Sequence, residues 1–340
     1  MLTGKTLNQL TAEVERQMHS KKDFIFPTSF LAFTIKGELF NKKDKESKSS
    51  PLTSYAHRQV ATYSGIPQQY YEKMLIEQPD LLATNVNRWL ETKKAGSKRL
   101  VRTLDGKIRA ILSDSYLPID NHDILRALLP QIIESGCEIV SCDITERKLY
   151  IKALSPKTTD EIKVGDTVQA GVLIQNSEIG CGRIEISPLV YRLVCKNGLI
   201  VNDMSHTRHH LGRRVPDSDI EVNGIYSRET IMADIGTFLL KARDSVKAAL
   251  NQSVFSQIVN KMREATEQKI ENVEEAIEEV TNKYAFSEEE SKLITGNMFA
   301  GGDTSRFGLV NAITATAHDI TDYDRSVEIE RIGGEVLLLN

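Results

Sequence analysis

Between Glu138 and Val201 the chain repeats one pattern. Short apolar or alternating runs succeed one another, each broken by a turn signal: CEIVSCDIT, KLYIKAL, Thr167–Gln175, Arg183–Ile186, Val190–Cys195 and Leu199–Val201. A series of short strands of this kind predicts a meandering, mainly antiparallel sheet. Upstream, RLVRTL and KIRAIL flank Asp105-Gly106, a pair that supplies the positive φ angles of a type I′ turn and so predicts a hairpin over 99–112. Asn121 is placed to cap a helix that runs to Ile133 and stops at Gly136.

After Arg214 the periodicity changes. Ile231, Ile235, Phe238, Leu239, Ala242 and Val246 fall on one helical face, with Ser227 as the cap. A longer seam follows through Val259, Met262, Thr266, Ile270, Val273, Ile277, Val280 and Tyr284. Its 3–4 spacing suits a helical hairpin or a coiled-coil-like contact between subunits or domains. Ser287 with Glu290 reads as a capping box that opens another helix, and Gly301-Gly302 ends it. Leu52–Leu90 is also helical in pattern, broken at Gly65-Ile-Pro67. The fold class expected is α+β: a mainly antiparallel sheet core with flanking helices and a helical C-terminal part. The expected divisions are an N-terminal segment and charged loop (1–51), an α+β core domain (52–226) and a helical C-terminal region (227–340).

A net charge of −4 over 340 residues conceals strong segregation. From Arg88 to Arg109 eight cations face only Glu91 and Asp105, whereas 264–290 holds ten glutamates against Lys269 and Lys283. Two solvated faces would explain this, and so would two binding surfaces. The four cysteines are too sparse for a disulfide scaffold and form no CxxC pair. No apolar leader or 18-residue apolar window occurs. The expectation is a cytoplasmic protein with reduced thiols and no membrane contact.

The densest chemistry lies in SEIGCGRIEISPLVYRLVCKNGLIVNDMSHTRHHLGRR (177–214). His206, His209 and His210 with Cys181 or Cys195 fit no standard zinc spacing, and the surrounding arginines oppose a cation. Gly180-Cys-Gly182 lacks the spacing of a phosphate loop. A thiol nucleophile at Cys181 or Cys195 would need a histidine partner that spacing alone does not place. No metal, cofactor or catalytic set is therefore expected. The cations form two groups: Lys98, Arg99, Arg102, Lys107 and Arg109 on the hairpin, then Arg192, Lys196, Arg208, Arg213 and Arg214 in the central block. With a tyrosine such as Tyr191 to stack a base, these residues are the expected nucleic-acid contacts.

Several blocks in order, YAHRQVATYSGIPQQYYEKM (55–74), LLATNVNRWL (81–90), VRTLDGKIRAILSDSYLPIDNHDIL (101–125), the central block and GLVNAITATAHDITDYDRSVEIERIGGEVL (308–337), resemble a phage- and plasmid-encoded family known as domain of unknown function 932. The resemblance implies a role in mobile-element replication, recombination or host conflict, and carries no activity to transfer. Together with the charge pattern it points to a non-enzymatic protein that binds or anneals single-stranded DNA and self-assembles. The alternative is an interaction protein that inhibits or redirects a host factor.

Overall fold

In a computed structural model, which describes residues 2–46, 48–92, 97–116, 118–201, 206–208 and 228–339 (backbone only at 206–208, 228, 229, 231 and 232), Asp105 and Gly106 take φ of 52° and 75°. These are the angles the turn was expected to need. The hairpin joins β5 (Lys98–Leu104) to β6 (Lys107–Ser113), and β1 (Lys22–Pro27) pairs with the outer edge of β5. Arg102 faces Ala110 while Thr103 faces Ile108, so Arg109 is an extra residue in the ladder. That bulge leaves Ile108, Arg109 and Ala110 buried in succession, against the alternation a regular strand would show.

The meander forms the larger sheet: β7 (Glu138–Ile144), β8 (Leu149–Glu161), β9 (Thr167–Asn176), β10 (Ile184–Arg192) and β11 (Asn197–Ile200), all antiparallel neighbours. A short β12 (His206–Arg208) continues on the β11 edge of β10, opposite Ile184–Ile186. Period-two alternation divides the side chains between two covered faces. Ile151, Ala153, Val172, Ile174, Ile184 and Ile186 pack under α1 (Leu7–Ser20), α5 (Asn121–Glu134) and α6 (Arg228–Ala249). On the same face Val168, Ala170, Val190 and Leu199 pack under α7 (Gln252–Glu267), α8 (Val273–Lys283), α9 (Glu288–Gly301) and α10 (Arg306–Thr316). Tyr150, Leu154, Leu173 and Leu189 point the other way, toward Tyr323 and Val327 of α11 (Tyr323–Leu338). The fold is α+β.

The N-terminal fifty residues are woven into this core. Leu10 and Val14 of α1 join the α5–sheet cluster, and β2 (Leu31–Phe33), β3 (Glu38–Asn41) and β4 (Ser50–Pro51) form a third, small sheet. That sheet and β5–β6 share a core with α2 (Ser54–Ser64), α3 (Gln68–Glu77) and α4 (Pro79–Thr92).

The long C-terminal seam is two helices rather than one. Between α7 and α8 the backbone is diverted: Ile270 donates to the Thr304 carbonyl at 2.9 Å and Gln268 accepts from the Arg306 amide at 2.8 Å. Asn272 then caps α8 through the Glu275 amide. The seam itself faces inward, with Met262, Ile277 and Val280 buried in the chain's own core. The Ser287–Glu290 capping box forms with both reciprocal bonds, and Gly302 closes α9 at φ 62°. The four cysteines are free thiols, and among the described residues no helix is long and apolar enough to cross a membrane.

Candidate anion-binding clefts

The loop from Ser177 to Arg183, between β9 and β10, is fastened on three sides. Tyr116 donates its hydroxyl to the Ser177 carbonyl (3.1 Å), Gln59 its amide to Ile179 (2.9 Å) and Tyr55 its hydroxyl to Gly180 (3.1 Å). Ser177 Oγ accepts from the Cys181 amide and donates to the Arg147 carbonyl, tying the loop to the β7–β8 turn. Gly180 stands at φ +76°, and a Cβ there would come within 2.6 Å of Leu112. Glycine is required at that point by both conformation and contact. Burial beside Cys181 pushes the Tyr55 phenol up to about 12.

Under the loop lies a buried ionic cluster centred on Glu178. Its carboxylate takes Lys21 Nζ at 2.7 Å, the Asn121 amide at the start of α5 at 2.6 Å, and the Arg109 guanidinium. Arg102 donates to the Glu178 carbonyl at 2.8 Å, to Asp120 at 2.7 Å and to Asp23 at 2.9 Å. Burial pushes the Glu178 and Asp120 carboxyls up. The cations around them, Arg109 for Glu178 and Arg102 for Asp120 foremost, outweigh it and leave both below the ordinary value.

This corrects the expectation for two residues. Arg102 and Arg109 are 1% and 6% exposed, and their charge neutralises internal carboxylates. Neither presents a guanidinium to a phosphate at the surface. The bulge accounts for Arg109, the extra residue of β6, whereas Arg102 on the regular strand β5 is buried because the Ser177–Arg183 loop and the start of α5 cover its face.

Two clefts open on either side of the turn formed by Thr145–Lys148. The smaller, about 320 Å³, is walled by the cations Arg16, Lys107, Arg109 and Arg147 and by the acids Glu13, Asp105, Glu146 and Glu178 among others. The larger, about 520 Å³, is walled by Tyr116, Gln175, Cys181, Arg183, Glu185 and Arg331 among others, and Lys148 borders both. Among the described residues no carboxylate lies within 4.0 Å of Lys107, Arg147 or Lys148. The floor of the larger cleft is polar and ordered. Glu185 accepts from Gln175 Nε2 (2.9 Å) and Ser187 Oγ (2.8 Å) and pairs with Arg331 (3.1 Å) and Arg183 (3.5 Å), while Arg331 also donates to Gln175 Oε1 (3.2 Å). Deeper on this face Lys152 and Glu330 form an ion pair at 2.5 Å with no solvent exposure.

The remaining expected contacts are scattered. Lys107 borders the smaller cleft, whereas Lys98 and Arg99 sit at the far end of β5, about 20 Å from the turn. Arg99 lies over the Tyr63 ring at 4.7 Å. Tyr191 and Arg192 end β10, about 25 Å from Arg183. Arg192 pairs with Asp166 at 2.5 Å and covers the Phe307 ring, and Tyr191 is half-buried against the α11 side of the sheet. Lys196 is exposed in the β10–β11 turn at φ 55°. The backbone of Arg208 lies opposite Ile184, beside the larger cleft. Arg213 and Arg214, with His209 and His210, lie outside the described residues. Among the described residues no group of histidines, cysteines and acids is arranged to hold a metal.

The sequence reading missed Arg147, Lys148 and Arg331. The first two were detectable as a pair of cations in a turn between two strand runs. Arg331 comes from α11, remote in sequence, and no local pattern marks it.

Fold and clefts together define an α+β protein with a cationic surface at one end of its main antiparallel sheet. The chain belongs to the family described as a domain of unknown function (DUF932), whose model matches residues 110–328. The matched span takes in β6, the central sheet and the helices up to the first turns of α11. No curated protein and no solved structure matches the chain.

Proposed function

We propose that the protein binds single-stranded DNA without a chemical step, in the DNA metabolism of a phage or plasmid, along Lys107, Arg147, Lys148 and Arg183. One observation carries the reading: among the described residues Lys107, Arg147 and Lys148 stand outside any ion pair at a surface where two clefts meet. Elsewhere in this region Lys21, Arg102 and Arg109 are taken by internal carboxylates, and Arg183 lies 3.5 Å from Glu185. Clefts of 320 and 520 Å³ have the size of small-ligand sites, about 300–1,000 Å³, which suits separate nucleotides.

The test is fluorescence anisotropy with labelled single-stranded oligonucleotides across a salt series. Log affinity should fall linearly with log salt, by about 0.7 for each phosphate neutralised. The variant K107Q/R147Q/K148Q/R183Q should flatten that slope and keep the wild-type melting temperature, because surface charges contribute little to stability. Absence of binding at low salt, or an unchanged slope in the variant, overturns the reading.

A second reading rests on another surface. Glu264, Glu267, Glu271, Glu274, Glu275, Glu278 and Glu279 are all exposed along α7, α8 and the segment between them. This acidic face suits a basic protein partner, such as a host factor. Binding of a lysine-rich peptide, lost on Gln substitution of Glu274, Glu275, Glu278 and Glu279, is its test; no binding removes it.

A further inference from the structure

We infer that the 520 Å³ cleft takes one nucleobase with its 5′ phosphate, so that a bound strand inserts an unstacked base into the protein. The inference deepens the strand-binding reading by naming the unit that enters, and it stands on the construction of the cleft itself. One wall is apolar, formed by Leu112 and the Tyr116 ring. The floor is a donor–acceptor set held in place: Glu185 and Gln175 are each no more than 2% exposed, and they are fixed by Ser187, Arg331 and one another. Arg331 brings a further signal. It donates to Gln175 and pairs with Glu185, and still keeps 21% of its side chain exposed. A base in the cleft sets its ring carbonyl or nitrogen toward the exposed part of Arg331 and lays its face over Leu112.

The mouth of the cleft carries the matching charge. Arg183 and Lys148 stand on its border, and Lys148 also borders the neighbouring cleft beside Arg147. A phosphate attached to the inserted nucleotide meets Arg183 and Lys148, and the next phosphate along the strand meets Arg147.

The experiment is calorimetric titration of the full chain at low salt with the four deoxynucleoside 5′-monophosphates, with deoxyribose 5-phosphate and with inorganic phosphate. The nucleotides should bind at least about tenfold more tightly than the base-free sugar phosphate, the low end of what one stacked base contributes. Filling the cleft from its half-buried wall with C181W should remove that difference while leaving the salt slope for oligonucleotides in place. S113W, which fills it from the opposite wall, reads the same loss should C181W fail to fold. Equal affinity for nucleotides and the base-free phosphates overturns the inference and leaves an anion site only. Oligonucleotide binding with no nucleotide binding at millimolar concentration overturns it too, and leaves the phosphate track standing. Nucleotide binding with no oligonucleotide binding supports the cleft and removes the strand reading.

Discussion

Glu178 holds three positive groups and one helix N-terminus in an interior that excludes water. Replacing it by Gln keeps the shape and removes the charge, which leaves Arg109 without its anion and Lys21 with Asp120 alone. Breaking a buried pair in this way costs about 3–5 kcal/mol, so E178Q should show a clearly lower urea midpoint at neutral pH than the parent. The pH dependence follows from the direction of the shifts. Glu178 and Asp120 lie below their ordinary values in the folded state, so their contribution is complete above the unfolded carboxylate range. It is lost as pH falls through the folded values, and the parent should lose stability between about pH 5 and pH 2. E178Q should lose less over the same window. Melting curves across that range check both statements; an E178Q curve as steep as the parent's would show the cluster is not responsible. At this scale the sequence was least legible. Arg102 and Arg109 read as surface cations because charge and a hairpin turn are visible in a string, whereas the bulge at Arg109 and the loop that covers Arg102 are not.

At the scale of single elements, local rules held wherever the chain's own neighbours satisfied them. The type I′ turn, the Ser287 capping box and the glycine stop of α9 each depend on a few adjacent residues, and each formed as read. The α7–α8 seam kept its apolar spacing but broke at 268–272, because Thr304 and Arg306, far along the chain, compete for its backbone. Helix α11 shows the same competition. Gly333 and Gly334 lower its intrinsic helical tendency by about 1 kcal/mol each. They remain because the helix lies against β11: a Cβ on Gly334 would fall 1.9 Å from the Ile200 carbonyl oxygen, and one on Gly333 2.4 Å from Thr314. G334A therefore gains propensity and loses fit. It should lower stability by about 1–3 kcal/mol, the range of overpacked cores. Chemical denaturation checks this, and a stabilised G334A would show that the helix can move away from the strand without cost.

For the whole molecule, the sheet is covered on both faces by helices from both ends of the chain. Val168, Ala170, Val190 and Leu199 rely on α7–α10, and Ile184 and Ile186 share a cluster with α6. A chain ending at residue 226 keeps the hairpin and the meander but bares these side chains. It should lose its near-ultraviolet circular dichroism and its cooperative urea transition, and a two-state melt of that fragment would show instead that the helical region is a separate unit. The helices after 227 are thus a layer of the core, whichever surface they also offer to a partner.

Alternation and turn chemistry by themselves determined the meander, the hairpin and the change to helices, since these depend on contacts a few residues apart. They also marked the Ser177–Arg214 block as a dense run of polar and cationic residues. Which cations remain available was decided only by the tertiary structure. Glu178 and Asp120 claim Arg102 and Arg109, Asp166 claims Arg192, and among the described residues Arg147 and Lys148 stay outside any ion pair. A charge is a property of a residue, but its availability depends on which carboxylate the fold brings within reach.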